Sequence, residues 1–431
     1  MSTLYPVSLT TSPEGPMCLA DIPLPKLAAK YGTPLYVMDR ETLAKNCRDY
    51  TQALAKFYPN SLVVFAGKAN LNLGLLNILA QEHLGVDVVS GGELFTALRS
   101  KIPAQHVLFH GNNKSSSELE MAIRHGIRIM VDHEEELVQI LGLAKTLEKT
   151  AQIMLRLKPE IEAHTHDYIK TGHIDSKFGL DKRDLIRLVN WIKSEPSLHL
   201  KGLHSHIGSQ IFDLEPFEDL AQIMTQHMAT VKAECEIELE ELNLGGGIGI
   251  QYTTQDDPPS IGLYIEKLTT KLKACCAELG IAQPRLILEP GRSIVGTAGV
   301  TLYSVGAVKS IPGIKDYVFV DGGMADNPRP MMYQAQYTFS VADKPHETPS
   351  RIYTIAGKYC ESGDILAKDV KLPEVNVGDT LVVFDTGAYN YSMASHYNRS
   401  AKPAMIVVEN GQDRVLVRRE TYEDLLRYDE E

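Results

Sequence analysis

From about residue 60 the chain repeats one theme: a short β-branched apolar run, a polar or glycine-rich break, then a helical pattern. Eight runs follow it, at 62–66, 85–89, 106–109, 128–131, 152–157, 200–204, 241–244 and 285–288. The first four are spaced by about twenty residues and the later ones by roughly twice that, as in a β/α repeat with insertions in some units. Eight βα units predict a closed (β/α)8 TIM barrel, an α/β fold. An open doubly wound sheet also places polar residues at strand ends, but it needs a topological break that this repeat lacks.

The polar residues sharpen the prediction because they fall just after the runs. Lys68 follows the first, Ser90 the second, Gly111 and Asn112 the third, and Asp132 the fourth; then come Arg156, His206, Gly245, Gly246, Gly247 and Glu289. In a barrel these positions converge on the C-terminal rim, where such folds carry their sites. After residue 291 the texture changes to short alternating segments (300–305, 316–320, 351–354, 380–384, 404–408) separated by Gly and Pro. The reading is a barrel over 34–295, a C-terminal β domain over 296–431, and an N-terminal segment, 1–33, that joins the β domain.

Composition removes several function classes. No apolar run approaches the ~18 residues of a membrane span, and the opening residues resemble neither a signal nor a transit peptide, so the expected location is the cytoplasm. A net charge of −12 without a basic patch argues against nucleic acid and anionic membranes as partners. The six cysteines contain no Cys-x-x-Cys pair and are dilute, which predicts reduced thiols.

Four segments carry chemistry. Lys68 ends an apolar strand between small residues, where desolvating an ammonium is costly; it is read as a Schiff-base lysine, the alternative being a rim lysine that snorkels to water. Residues 242–249 put a glycine run after a strand, either a phosphate cradle of bare amides or simply a tight turn. In Glu289-Pro290-Gly291-Arg292 a strand-tip carboxylate precedes a guanidinium suited to phosphate in fork geometry. Glu289 against the pyridine nitrogen of pyridoxal phosphate (PLP) would keep that nitrogen protonated and the ring an electron sink; an ion pair with Arg292 is the alternative. Period-2 alternation places His204 and His206 on one side of their strand. No third ligand supports a metal there, so a ring stacked on the cofactor, with the Ser209 hydroxyl on phosphate, is preferred. His164-Thr165-His166 is read as a structural loop.

With these residues in view, the chain resembles the fold-type III PLP-dependent decarboxylases. The matching stretches are FAGKANLN around Lys68, DVVSGGEL from Asp87, HTHDYIKTGHIDSKFG from His164, GLHSHIGSQ, NLGGGIG, EPGR, CESGD from Cys360 and GAYNYSMASHYN from Gly387. Gly67 and Ser205 depart from the usual pattern without removing a functional group. The resemblance implies an alanine-racemase-type barrel with a β domain, acting on a small amino acid as a homodimer whose active sites are shared between subunits. It implies that Lys68 binds PLP covalently and His206 stacks on its ring. Ser209, Gly245, Gly246, Gly247, Pro290, Gly291 and Arg292 would hold the phosphate, Glu289 the pyridine nitrogen, and Tyr389 both cofactor and substrate. Arg292, Arg329, Tyr333 and Glu361 would bind the substrate's distal end, with Cys360 as proton donor and Cys360 and Glu361 supplied by the neighbouring subunit. Asp87, Glu93 and Arg156 match supporting polar positions.

The implied reaction is decarboxylation of meso-2,6-diaminopimelate to L-lysine and CO2. A substrate with a carboxylate and an ammonium at each end needs one cation and one anion in its distal pocket, and Arg329 and Glu361 are such a pair. The competing expectations are a decarboxylase of ornithine, arginine or carboxynorspermidine, or a non-catalytic PLP-binding regulator.

Overall fold

Eight parallel strands close into a barrel in the computed structural model, which describes residues 4–11, 13–158 and 177–430. They are Ser61–Ala66, Gly85–Val88, Val107–Phe109, Arg128–Val131, Ala151–Arg156, Leu198–His204, Glu241–Asn243 and Arg285–Leu288, the last pairing with the first. All eight predicted runs are therefore strands, and they neighbour one another in chain order. Alternation explains the interior: Leu62, Val64, Leu108, Met130, Met154 and Ile287 point inward and fill it with apolar side chains. Truncating one of them to Ala would cost about 2–5 kcal/mol.

Capping residues begin the helices that return the chain to the next strand. Ser115 forms a capping box with Glu118 at the helix Ser116–Arg124, and Ser90 Oγ accepts from the Glu93 amide at the start of Gly91–Arg99. Ser90, read from sequence as a rim polar group, is thus a helix cap. Buried ion pairs pin the barrel wall, Lys114 to Glu136 at 2.6 Å and Arg128 to Glu241 at 3.1 Å.

The β unit is built on the long strand Gly299–Ile311. Its first half pairs with Leu35–Asp39 and Thr380–Val383, and its second half with Lys315–Val320, within a nine-stranded sheet that also holds Phe339–Val341, Arg351–Ala356, Ile365–Leu372, Ala404–Glu409 and Gln412–Val417. The N-terminal strands Leu9–Thr11, Met17–Leu19 and Ile22–Pro23 form a small sheet of their own. Met17, Leu19, Leu24 and Leu27 share a core with Val300, Leu302 and Ile406, so the N-terminus packs within the β unit.

The compact units divide the chain differently from the sequence-based boundaries. One comprises 46–249 and 258–291; the other comprises 1–45, 250–257 and 292–431. Residues 35–39 read as the approach to the barrel but pair on both sides with β-unit strands. Residues 250–257 make an excursion in which Ile250 joins the β-unit core and the Tyr252 carbonyl accepts from Thr338 Oγ1 at 2.9 Å. Among the described residues no helix is long and apolar enough to cross a membrane.

Candidate active site

In the barrel unit the rim groups gather around Glu289. This carboxylate, on the residue after the eighth strand, is buried and held by three side chains: Oε1 meets His110 Nε2 at 2.8 Å and Asn243 Nδ2 at 2.7 Å, and Oε2 meets His204 Nε2 at 3.3 Å. Burial alone would push its pKa up, but the two imidazoles and their hydrogen bonds outweigh burial and hold it well below the usual carboxylate range. Glu289 is thus a preorganised buried anion. The pull on His204 goes the other way, because desolvation drives the imidazole down to about 4 despite the neighbouring carboxylate.

The strand Leu198–His204 ends at His204, so the alternation expected to align His204 with His206 stops there. His206 lies in the following loop and its Nδ1 accepts from the Gly246 amide at 3.4 Å. Burial, with Lys68 and Arg156 nearby, keeps this ring well below its ordinary pKa and hence neutral. The third histidine, His110, was missed although it directly follows the strand Val107–Phe109. His110, His204 and Glu289 bring donor atoms within 4.8 Å of one another, a grouping invisible in sequence because it spans three strands. Their mutual hydrogen bonds, with Asn243, account for it.

The glycine turn is sterically required. Gly245 and Gly247 have φ of +64° and +128°, and a Cβ on Gly246 would lie 2.1 Å from the Glu289 carbonyl. The Ser209 loop is tied to this turn, since the Ile211 amide donates to the Gly247 carbonyl at 3.0 Å and the Gly249 amide to that of Ile211 at 2.9 Å. Pro290 and Gly291 continue from Glu289, and the Pro290 carbonyl accepts from the Ala66 amide beside Lys68 at 3.1 Å.

Lys68 sits on the turn Gly67–Ala69 after the first strand. Its neighbours Gly67 and Ala69 are buried and Lys68 itself is exposed, on the turn that follows the strand end at Ala66. Its charge acts on both Asp87 and His206. Asp87 is buried, its Oδ1 has no hydrogen-bond partner among the described residues, and desolvation pushes its carboxyl up to about 6. Glu93 caps the Val89 amide at 2.7 Å, and Arg156 stacks over Phe178 at 4.4 Å. The His164–His166 reading lies outside the described residues.

In the β unit two buried guanidiniums share one phenol. Arg292 Nη1 donates to Tyr252 Oη at 2.6 Å and Arg329 Nη1 to the same oxygen at 3.1 Å, while Arg329 also reaches Tyr337 Oη at 3.0 Å. Both lie over the Tyr389 ring, at 4.9 and 5.6 Å, and Tyr333 lies 6.0 Å from Arg329. Burial would raise the Tyr252 pKa, but the guanidiniums bring it below its ordinary value. Tyr389 holds a left-handed φ of +64°, a strain of about 1–3 kcal/mol that this packing sustains. Tyr252 and Tyr337 were not anticipated, because no periodicity marks them. Arg329, expected as a substrate ligand, opens the short helix Arg329–Tyr333. Cys360 and Glu361 are exposed on the loop before the strand Ile365–Leu372, and the Cys360 amide donates to Asn398 Oδ1 at 3.0 Å.

Comparison with known proteins bears on this arrangement. Residues 40–296 match the family model of the pyridoxal-dependent decarboxylases, pyridoxal binding domain. The diaminopimelate decarboxylase of Synechocystis sp. is 46% identical, the match covering 99% of this chain and 92% of that protein; its counterpart from Bacillus subtilis is 44% identical, over 94% and 92%. The crystal structure of diaminopimelate decarboxylase from M. jannaschii in complex with L-lysine superimposes with a TM-score of 0.92 at 35% identity, covering 100% of this chain and 98% of that one. The chain therefore belongs to the pyridoxal-dependent decarboxylases, and its near-full-length relatives are diaminopimelate decarboxylases. PLP is its cofactor, and the buried Glu289 anion and the bare glycine turn fit that group.

Proposed function

We propose that this enzyme decarboxylates meso-2,6-diaminopimelate to L-lysine and CO2, the final step of lysine biosynthesis, as a homodimer with shared active sites. The observation that carries the chemistry is the Glu289 carboxylate, kept anionic by His110 and His204. Bound PLP supplies an electron sink for the pair released when the bond from Cα to the carboxylate breaks. Glu289 holds a proton on the pyridine nitrogen, which sets the strength of that sink. Lys68 binds the cofactor through its Nζ, and the neutral His206 ring stacks on it. Ser209, Gly245, Gly246, Gly247, Pro290, Gly291 and Arg292 hold the phosphate.

The substrate assignment rests on Arg329. A buried guanidinium hydrogen-bonded to two phenols keeps its charge for a carboxylate, and a diamine-forming decarboxylase has no use for that at the distal end. Tyr333 and Tyr389 shape this pocket, Glu361 takes the distal ammonium, and the Cys360 thiol returns a proton to Cα. Near-full-length similarity to diaminopimelate decarboxylases supports the same reading.

The test supplies the purified enzyme and PLP with meso-diaminopimelate, ornithine and arginine in parallel, measuring CO2 and amine products. Lysine from diaminopimelate is the expected product. Preference for ornithine or arginine would reject the substrate, and a borohydride-trapped cofactor persisting in Lys68→Ala would reject the lysine.

A further inference from the structure

The two β-unit loops that carry Arg329 and Cys360–Glu361 are joined by a reciprocal pair of buried carboxylates. Asp326, three residues before Arg329, accepts the Tyr303 hydroxyl from the central strand and the Gly323 amide at 2.9 Å, and its Oδ2 lies 3.4 Å from the hydroxyl of Tyr359, the residue before Cys360. Asp364, three residues after Glu361, accepts the Met324 amide at 2.7 Å and the Tyr359 amide at 2.8 Å. Each loop thus contributes an acid that receives a donor from the other.

The backbone reinforces this exchange. The Lys358 amide donates to the Gly322 carbonyl at 3.0 Å, and a Cβ on Gly323 or Gly357 would come within 2.4 or 2.1 Å of the Asp364 carboxylate. Those glycines let the carboxylate sit directly on the main chain of both loops. The Asp326 carbonyl accepts from Tyr36 Oη at 2.6 Å, tying the pair to the sheet. Asp326 and Asp364 are 1% and 3% exposed, so cutting either leaves buried donors unpaired. Two carboxyl groups are costly to bury for the sake of two loops, unless those loops must keep a fixed relative position.

We infer that Asp326 and Asp364 are positioning residues that lock the Arg329 segment and the Cys360–Glu361 loop of one chain into one rigid piece, so that the cation of a chain's own site and the loop it supplies to its neighbour's site are held in one fixed arrangement. This rests on the substrate roles proposed above for Arg329, Cys360 and Glu361. It adds a structural consequence for the shared-site dimer: a chain's own carboxylate clamp and the loop it lends to its neighbour move together.

The experiment uses the full-length PLP-loaded enzyme with Asp364→Asn and, as a milder second variant, Tyr359→Phe. Hydrogen exchange followed by mass spectrometry should accelerate in 322–333 and 357–364 together, although each substitution lies in only one of them. Steady-state kinetics should show KM for meso-diaminopimelate raised about tenfold in Asp364→Asn and two- to threefold in Tyr359→Phe, with PLP affinity unchanged. Faster exchange confined to 357–364 in both variants would overturn the lock, as would KM and PLP affinity worsening in parallel, the mark of general destabilisation. If the wild-type enzyme ignores diaminopimelate, the substrate reading fails, while the exchange pattern still decides whether the loops are coupled.

Discussion

The barrel rim and the β-unit cluster handle buried charge in opposite ways. Around Glu289 each carboxylate oxygen meets a nitrogen from a different strand, so the anion is fixed in place and in protonation state. Around Arg329 and Arg292 the positive charge is wrapped by rings and shared on one phenol oxygen. A buried carboxylate fixed by three neighbouring nitrogens is suited to holding one proton at a fixed point, whereas guanidiniums cushioned by phenols can exchange a weak acceptor for a stronger anionic one. Under the proposed function, the first region sets the chemistry, while the Arg329 side of the second sets which molecule undergoes it.

The largest effect should come from the region that sets the chemistry. Glu289→Gln keeps shape and removes charge, and turnover of meso-diaminopimelate should fall by about 10²- to 10³-fold, as for loss of a preorganised electrostatic group. Activity within a few-fold of wild type, measured by CO2 release, would reduce the Glu289 network to scaffolding. Arg329→Met should be milder and selective: losing hydrogen bonds to a charged group costs about 1.5–3 kcal/mol, or roughly 10- to 100-fold. That loss should appear in KM for diaminopimelate and leave PLP affinity intact; equal damage to both would erase the division of labour.

A further effect is on stability rather than turnover and depends on pH. His204 has a folded pKa of about 4 against an ordinary value near 6.5. Between these values the unfolded chain binds a proton that the native state does not, so stability falls as pH drops through that window, by on the order of 3 kcal/mol in total. Asp87, raised to about 6, has the opposite slope between its ordinary value and 6, but it is common to both proteins in a comparison with His204→Asn. Urea denaturation from pH 7 to pH 4 should therefore show wild type losing stability relative to His204→Asn. A constant difference across that range would mean that His204 is not held neutral.

Much of this molecule is determined locally and can be read from sequence. The eight barrel strands are legible because a fully buried parallel strand needs a short apolar run and the break after it must be polar or glycine; both are properties of a few adjacent residues. Lys68, Gly245–Gly247, Glu289 and Arg292 announce themselves for the same reason, as unusual residue types at strand ends. Tertiary structure alone decided what depends on residues far apart in the chain: the partnership of His110, His204 and Asn243 on one carboxylate, the convergence of Arg292 and Arg329 on Tyr252, and the return of 35–39 and 250–257 to the β unit. The sequence also suggested two histidines on one strand face, whereas the strand ends at His204 and leaves His206 in the following loop. Propensity and alternation act over neighbouring residues, but the burial of a charge is settled by every group that surrounds it, and those groups meet only when the chain has folded.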